Sequence, residues 1–219
     1  MTQSIDPSLK RYLDGDYADK NPDWDSGDAI WKAGKLAELL KAHQVRPQGI
    51  VEIGCGSGAV LEAMRAHFPS AECHGFDIAP DLEKIWAEAP SSGIKLQLGD
   101  FLDSDVQDPD LIMLIDVLEH VGNPWEFLAK LKGKSGYVGI HFPLDLSAVS
   151  VLRETPLLHV REKVGHLHFF TRNLAEILVQ EAGFEIMEAR FTNAAIEGPQ
   201  HGVMARVAGL VRSVAFRLA

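Results

Sequence analysis

The chain has 219 residues, 46% hydrophobic and 24% charged, with a formal net charge of -10, which fits one globular domain and opposes a nucleic-acid partner, since affinity for phosphates rests on Lys and Arg. Its two cysteines, Cys55 and Cys73, lack CxxC spacing, so a reduced cytoplasmic chain without a disulfide framework or a metal site is expected. No run of about 18 apolar residues exists to span a membrane, and the start, MTQSIDPSLK, has no signal-peptide core.

Residues 1–27 are rich in Asp, Gly, Pro and Tyr, a loop-like composition. Asp28 is placed to cap a helix running to about 43, with Ile30, Ala33, Ala37 and Leu40 on one face. Residues 49–53 form a first strand that enters the turn Gly54-Cys55-Gly56-Ser57-Gly58. A helix over 57–68 follows, with Leu61, Met64 and Phe68 facing inward and Pro69 closing it. Strands over 71–77 and 94–98 flank a short helix over 81–88. The apolar run 111–115 before Asp116 marks a strand buried on both faces. A helix over 124–131 begins at Pro124, and a strand covers 137–142.

The stretch 143–170 is mixed, with prolines and histidines but no clear period. A connection of that length is usually functional or lid-like. Thr171 caps a helix with Leu174, Ile177, Leu178 and Ala182 facing inward, stopped by Gly183. A sixth strand is expected over 184–191. Residues 203–218 place apolar side chains near a helical period between three arginines. They read as a helix packed on the domain or a partner, or alternatively as a peripheral contact with an anionic membrane surface. The alternation predicts a doubly wound α/β domain with a mostly parallel sheet. The chain divides into a cap segment (1–48), the domain proper (49–200) and a basic tail (201–219).

In such a sheet the ligand lies outside the carboxyl ends of the strands. The glycine turn stands at the first end, Asp77 at the second, Asp100 at the third and Asp116 at the fourth. Asp77 is suited to accept hydrogen bonds from a ribose diol, and Asp100 from an exocyclic amine. A rim lined by acids suits a ligand with a cationic group better than one rich in phosphates.

The ordered segments VEIGCGSG, FDI, GDF and IDVLEHV resemble the class I S-adenosylmethionine-dependent methyltransferases over about residues 50–190. The resemblance implies a Rossmann-like fold and S-adenosylmethionine as cofactor. Its contacts would fall at Glu52, Gly54, Cys55, Gly56, Gly58, Asp77, Ile78, Asp100, Phe101, Asp116 and Val117. In that family Glu52 would orient the loop and the ligand's amino end. Members usually add a seventh, antiparallel strand, and no clear apolar run for one follows position 191. The flanking patterns YxxNPDWD, HFPLDLS and VGHLHFFT resemble bacterial methyltransferases of small molecules, often linked to sugars or polysaccharides. The implied reaction is O- or N-methylation of a small-molecule acceptor by a monomer or homodimer. A protein acceptor and a non-catalytic cofactor-binding accessory protein remain as alternatives.

Competing assignments stand beside these. Gly54, Gly56 and Ala59 also fit the dinucleotide fingerprint, but Glu52 just before the loop gives a phosphate site nothing. His141 and His166 are placed near the methyl face as candidate bases, with Asp145 to orient one of them or bind substrate. His168 reads as structural. Arg161 is a candidate anchor for an anionic group. Trp24 and Trp31 either cover a sulfonium or simply pack. Glu119 and His120 read as the start of the helix after the fourth strand, or as part of the pocket. Cys55 reads as a small packed side chain rather than a reactive thiol.

Overall fold

The computed structural model describes residues 9–24, 26–88 and 93–192. Five parallel strands, β1 (Gly49–Ile53), β2 (Glu72–Asp77), β3 (Lys95–Leu98), β4 (Leu111–Ile115) and β5 (Tyr137–His141), pair in the order β3-β2-β1-β4-β5. The chain steps outward from β1 to β3 and then returns to β4 on the other side of β1. The carboxyl ends of β1 and β4 therefore border the switch point, where an open α/β sheet leaves a crevice.

β4 shows why the sheet is covered on both faces. All five of its residues are buried. Leu111, Met113 and Ile115 join one core cluster, and Ile112 and Leu114 join the other, the period of two that a pleated strand imposes. The first face is covered by α3 (Ala29–Ala42) and α4 (Ala59–His67), which bury Ala33, Ala37, Leu40, Leu61 and Met64. The second is covered by α6 (Pro124–Leu131) and α9 (Arg172–Glu181) through Leu128, Leu131, Ala175, Leu178 and Val179.

Two helix faces differ from the periodicity expected of them. In α3 Ile30 is 80% exposed, and Ala29 and Lys32 turn inward instead. In α9 Leu174 and Ile177 are 47% and 46% exposed. Ala175, Leu178, Val179 and Ala182 form the buried stripe, equally spaced for a helix and with small residues that allow close approach. Asp28 precedes α3 but makes no capping hydrogen bond, because its carboxylate pairs with Lys32 at 2.9 Å.

The sixth strand does not form. After Gly183 only Phe184 and Ile186 pack on the core, while Met187 and Phe191 are half exposed and 184–192 pairs with no strand. The alternation breaks at Met187-Glu188, and with it the apolar face a strand needs. The basic tail, its proposed membrane contact and the question of a seventh strand lie outside the described residues. No described helix is long and apolar enough to cross a membrane.

The segment between β5 and α9 is more ordered than its composition suggests. Ser147 and Ser150 form a reciprocal capping box for α7 (Ala148–Arg153), and α8 (Thr155–Lys163) follows across Glu154 at φ 56°. Both helices are largely exposed, so no apolar stripe announced them. The N-terminal segment folds into α1 (Lys10–Leu13) and α2 (Asp16–Lys20) and docks on this region. Arg11 donates to the carbonyls of Arg161 (3.3 Å), Glu162 (3.0 Å) and Lys163 (3.4 Å), and Asn21 donates to that of Lys163. These are the carbonyls that the end of α8 leaves without intrahelical partners. Gly165 sits beneath the Arg11 side chain, where a Cβ would come within 2.0 Å of the guanidinium.

Candidate active site

A cavity of about 900 Å³ opens at the switch point. Its wall includes the glycine turn, Glu52, Asp77, Ile78, Asp100, Asp116, Val117, Glu119, His120 and His166, with Leu9, Tyr12, Tyr17 and Trp24 contributed by the N-terminal segment.

The loop side is built by backbone bonds. The N–H groups of Gly54 and Cys55 both donate to the Phe76 carbonyl, at 2.8 and 3.1 Å. Asp77 accepts from Gly56 N–H at 2.9 Å and Ala79 N–H at 3.0 Å, and Trp86 Nε1 donates to the Gly56 carbonyl at 2.9 Å. Gly54 has φ 72°, and a Cβ there would meet Val117 at 2.8 Å, so both the turn and its neighbour require glycine. Burial raises the Asp77 carboxyl, against the pull of these N–H groups. Asp100 caps the turn after β3 by accepting from Leu102 N–H at 2.9 Å.

Glu52 sits at the base of the cavity, 2% exposed, and its Oε2 has no hydrogen-bond partner. Burial pushes its pKa to about 8, with the Asp77 and Asp116 charges adding to the rise. Cys55 is buried, and burial plus the Glu52 and Asp77 charges raise its thiol well above the usual range, so it is a packed residue and not a nucleophile.

The opposite side is built by side chains. Asp116, at φ 54°, accepts from Lys32 Nζ and from His141 Nδ1, each at 2.5 Å. Burial opposes its ionisation, but the His141 and Lys32 partners hold the carboxyl well below the usual range. Lys32 is itself 9% exposed, and Asp116 and Asp28 more than offset the burial that disfavours its charge. His166 Nδ1 meets Asp145 Oδ2 at 2.7 Å. Glu119 is fully buried with both carboxylate oxygens unpartnered, and burial with the Asp116 charge raises its carboxyl strongly. Burial and His166 lower His120 to about 4.

Of the residues expected at the site, Glu52, Gly54, Cys55, Gly56, Asp77, Ile78, Asp100, Asp116, Val117 and His166 line the cavity. Gly58, Phe101, His141 and Asp145 are not on its wall. Gly58 precedes α4 at φ 84°, Phe101 packs on Phe76 at 5.5 Å, and the other two act through Asp116 and His166. Arg161 donates to the His166 carbonyl at 3.2 Å, and His168 to the Val121 carbonyl at 2.9 Å. Trp24 lines the cavity, whereas Trp31 stands edge-on to His141. Glu119 and His120 precede α6 by a full turn and do not start it. Lys32 and Tyr12 went unnoticed in the sequence. The one signal for Lys32 was an acid four residues before it, the spacing of a helical ion pair.

A model of the methyltransferase domain matches residues 31–189, more than half of the chain. The chain belongs to the methyltransferase-domain family. The methyl donor of that family is S-adenosylmethionine. A malonyl-acyl-carrier-protein O-methyltransferase from Anoxybacillus flavithermus is 33% identical over 90 residues, 38% of this chain and 31% of that protein. Among solved structures, an O-methyltransferase family protein from Burkholderia thailandensis aligns with a TM-score of 0.57 at 18% identity, over 73% of this chain and 52% of that one. Human N-acetylserotonin methyltransferase in complex with S-adenosylmethionine aligns with a TM-score of 0.53 at 17% identity, over 82% and 57%. This methyltransferase-domain chain thus spans about a third of the curated relative it matches, and its likeness to the solved structures is one of fold.

Proposed function

We propose that the chain transfers the methyl group of S-adenosylmethionine to an oxygen or nitrogen of a small acceptor. The observation that carries this is the buried Glu52, whose Oε2 has no hydrogen-bond partner, in an acid-rimmed cavity at the switch point. A phosphate-bearing ligand would add negative charge beside these acids, whereas the α-ammonium of S-adenosylmethionine supplies both positive charge and donors. Asp77 keeps lone pairs beyond its two backbone bonds for the ribose hydroxyls, and the second oxygen of Asp100 serves the adenine amine. The cavity lies near the upper end of the size range for small-ligand pockets, and it has room for the cofactor beside a compact acceptor.

The methyl moves by in-line displacement, and the sulfur departs neutral, so positioning supplies most of the catalysis. On the acceptor side Asp145 holds His166 so that Nε2 presents a lone pair to the cavity. Asp116, fixed between Lys32 and His141, places a permanent negative charge nearby. A hydroxylated acceptor related to a sugar fits this polar end better than an apolar one.

Calorimetric titration with S-adenosylmethionine, S-adenosylhomocysteine and NAD tests the cofactor side. Micromolar binding of the first two without NAD is expected, and NAD binding alone would overturn the assignment. Incubation with hydroxylated metabolites and with denatured proteins tests the acceptor. S-adenosylhomocysteine formed only with proteins would exclude a small acceptor.

A further inference from the structure

Three side chains in the cavity stand together in a way that the lone pair of His166 alone does not explain. Glu119 is fully buried with neither oxygen hydrogen-bonded. His120 Nε2 stands 3.8 Å from Glu119 Oε1, too far for a hydrogen bond. His120 Nδ1 is likewise buried without a partner. His166 stands edge-on to the His120 ring, with centroids 4.9 Å apart. One ligating atom from each of the three lies within 4.8 Å of the others.

The surroundings fix these groups. Leu167 and His168 N–H both donate to the Glu119 carbonyl, at 2.7 and 3.1 Å, which locks the turn after β4 to the segment after α8. Asp145, a carboxylate, accepts the Nδ1–H of His166 and leaves Nε2 as a free electron pair. A carboxylate behind a histidine in this way is the usual arrangement around a histidine that binds metal. A buried carboxyl facing two imidazoles, with neither oxygen hydrogen-bonded, lacks the partner that a buried polar group requires.

We infer that Glu119, His120 and His166 form a site for one divalent cation, with Asp145 as the group that orients His166. This departs from the absence of a metal site expected from the cysteine pattern, because the ligands are histidine and glutamate. Two imidazoles and a carboxylate favour zinc or a first-row transition ion over magnesium or calcium, which prefer all-oxygen sites. All three residues line the cavity, so the remaining coordination positions face the space left for the acceptor. There the cation would bind an acceptor hydroxyl and lower its pKa. The hydroxyl proton leaves to solvent, the oxygen–methyl bond forms, and the electrons of the broken carbon–sulfur bond stay on sulfur. This last role rests on the methyl-transfer assignment, but the binding of the cation does not.

The test is calorimetric titration of the full chain, freed of metal by a chelator, with zinc, manganese(II) and magnesium ions. S-adenosylhomocysteine is titrated into the same samples. One equivalent of zinc or manganese is expected, bound far more tightly than magnesium. His166→Ala should weaken that binding by about 100-fold or more and Asp145→Ala by about 10- to 100-fold, with S-adenosylhomocysteine affinity kept. Cobalt(II) gives a second readout that needs no change at the buried Glu119, through a visible absorption band that His166→Ala abolishes. No binding of any ion by the wild-type chain, or equal binding by the His166 variant, overturns the site. If S-adenosylhomocysteine binding is intact in that case, the cation site alone fails. If S-adenosylhomocysteine does not bind either, the methyl-transfer assignment fails with it.

Discussion

The two sides of the cavity are made by different means. On the loop side, backbone N–H groups of the glycine turn fix the geometry by bonding to the end of the neighbouring strand: Gly54 and Cys55 to Phe76, and Gly56 to Asp77. On the opposite side, charged side chains from separate elements do so: Lys32 with Asp116, Asp116 with His141, Asp145 with His166, and Arg11 with the end of α8. The first rests on main-chain groups, which most substitutions leave in place. The second is a set of part-buried charges that depend on their partners.

Substitutions can break this contrast, and the largest effect should come from the charged side. Asp116→Asn removes the charge that holds Lys32 and His141. It should destabilise the fold by about 2 kcal/mol near neutral pH, less than an unpaired buried ion costs because Lys32 keeps its pair with Asp28. Thermal unfolding measures this, and a loss no larger than that of a surface variant would show the charged side to be as tolerant as the loop side. Asp77→Asn should act on binding instead. It should weaken S-adenosylhomocysteine by about 10- to 100-fold in calorimetry, the worth of charged hydrogen bonds to a ligand, and leave the melting temperature nearly unchanged.

Glu52→Gln sharpens the comparison through pH. Below the usual carboxyl value of 4.5 the group holds its proton in folded and unfolded chains alike. Between there and about 8 the unfolded chain releases the proton and the folded chain keeps it, so the wild type loses stability as pH rises. Glutamine carries no such penalty. The variant should therefore gain in melting temperature relative to wild type from pH 5 to pH 8.5, while it binds the cofactor more weakly. A constant offset across that range would show that Glu52 is not perturbed. The smallest effect is expected from Arg11→Ala, about 1 kcal/mol from the lost hydrogen bonds to α8. Hydrogen exchange should show it as faster opening of residues 155–166 with no change in the sheet.

The same contrast explains what the sequence made legible. The glycine turn, Asp77 and Asp100 follow strand ends directly, and a strand's carboxyl end has one location in a parallel sheet. Chain order therefore placed them. Lys32 lies on a helix before β1 and meets Asp116 only because α3 crosses the sheet there, and no local spacing encodes that crossing. Glu119 and His120 stand in an apolar stretch where a helix start is the ordinary interpretation. Only the bonds from Leu167 and His168 to the Glu119 carbonyl show that this turn is fixed by a distant segment. Ala33, Ala37, Leu40, Leu178 and Ala182 face inward as their spacing implies, while Ile30, Leu174 and Ile177 give way to Ala29, Lys32, Ala175 and Val179, because size alone does not decide which side of a helix meets the sheet.

The Arg11 latch also sets an order of assembly. Its acceptors lie 150 to 152 residues further along the chain, so during synthesis the N-terminal helices lack this latch until α8 has emerged. The glycine turn and the first strands precede α8 in the chain and are complete by then. The nascent protein therefore acquires its glycine turn early and the latched N-terminal wall of the cavity late, and a ligand present at birth would meet an open cleft before it met a closed one.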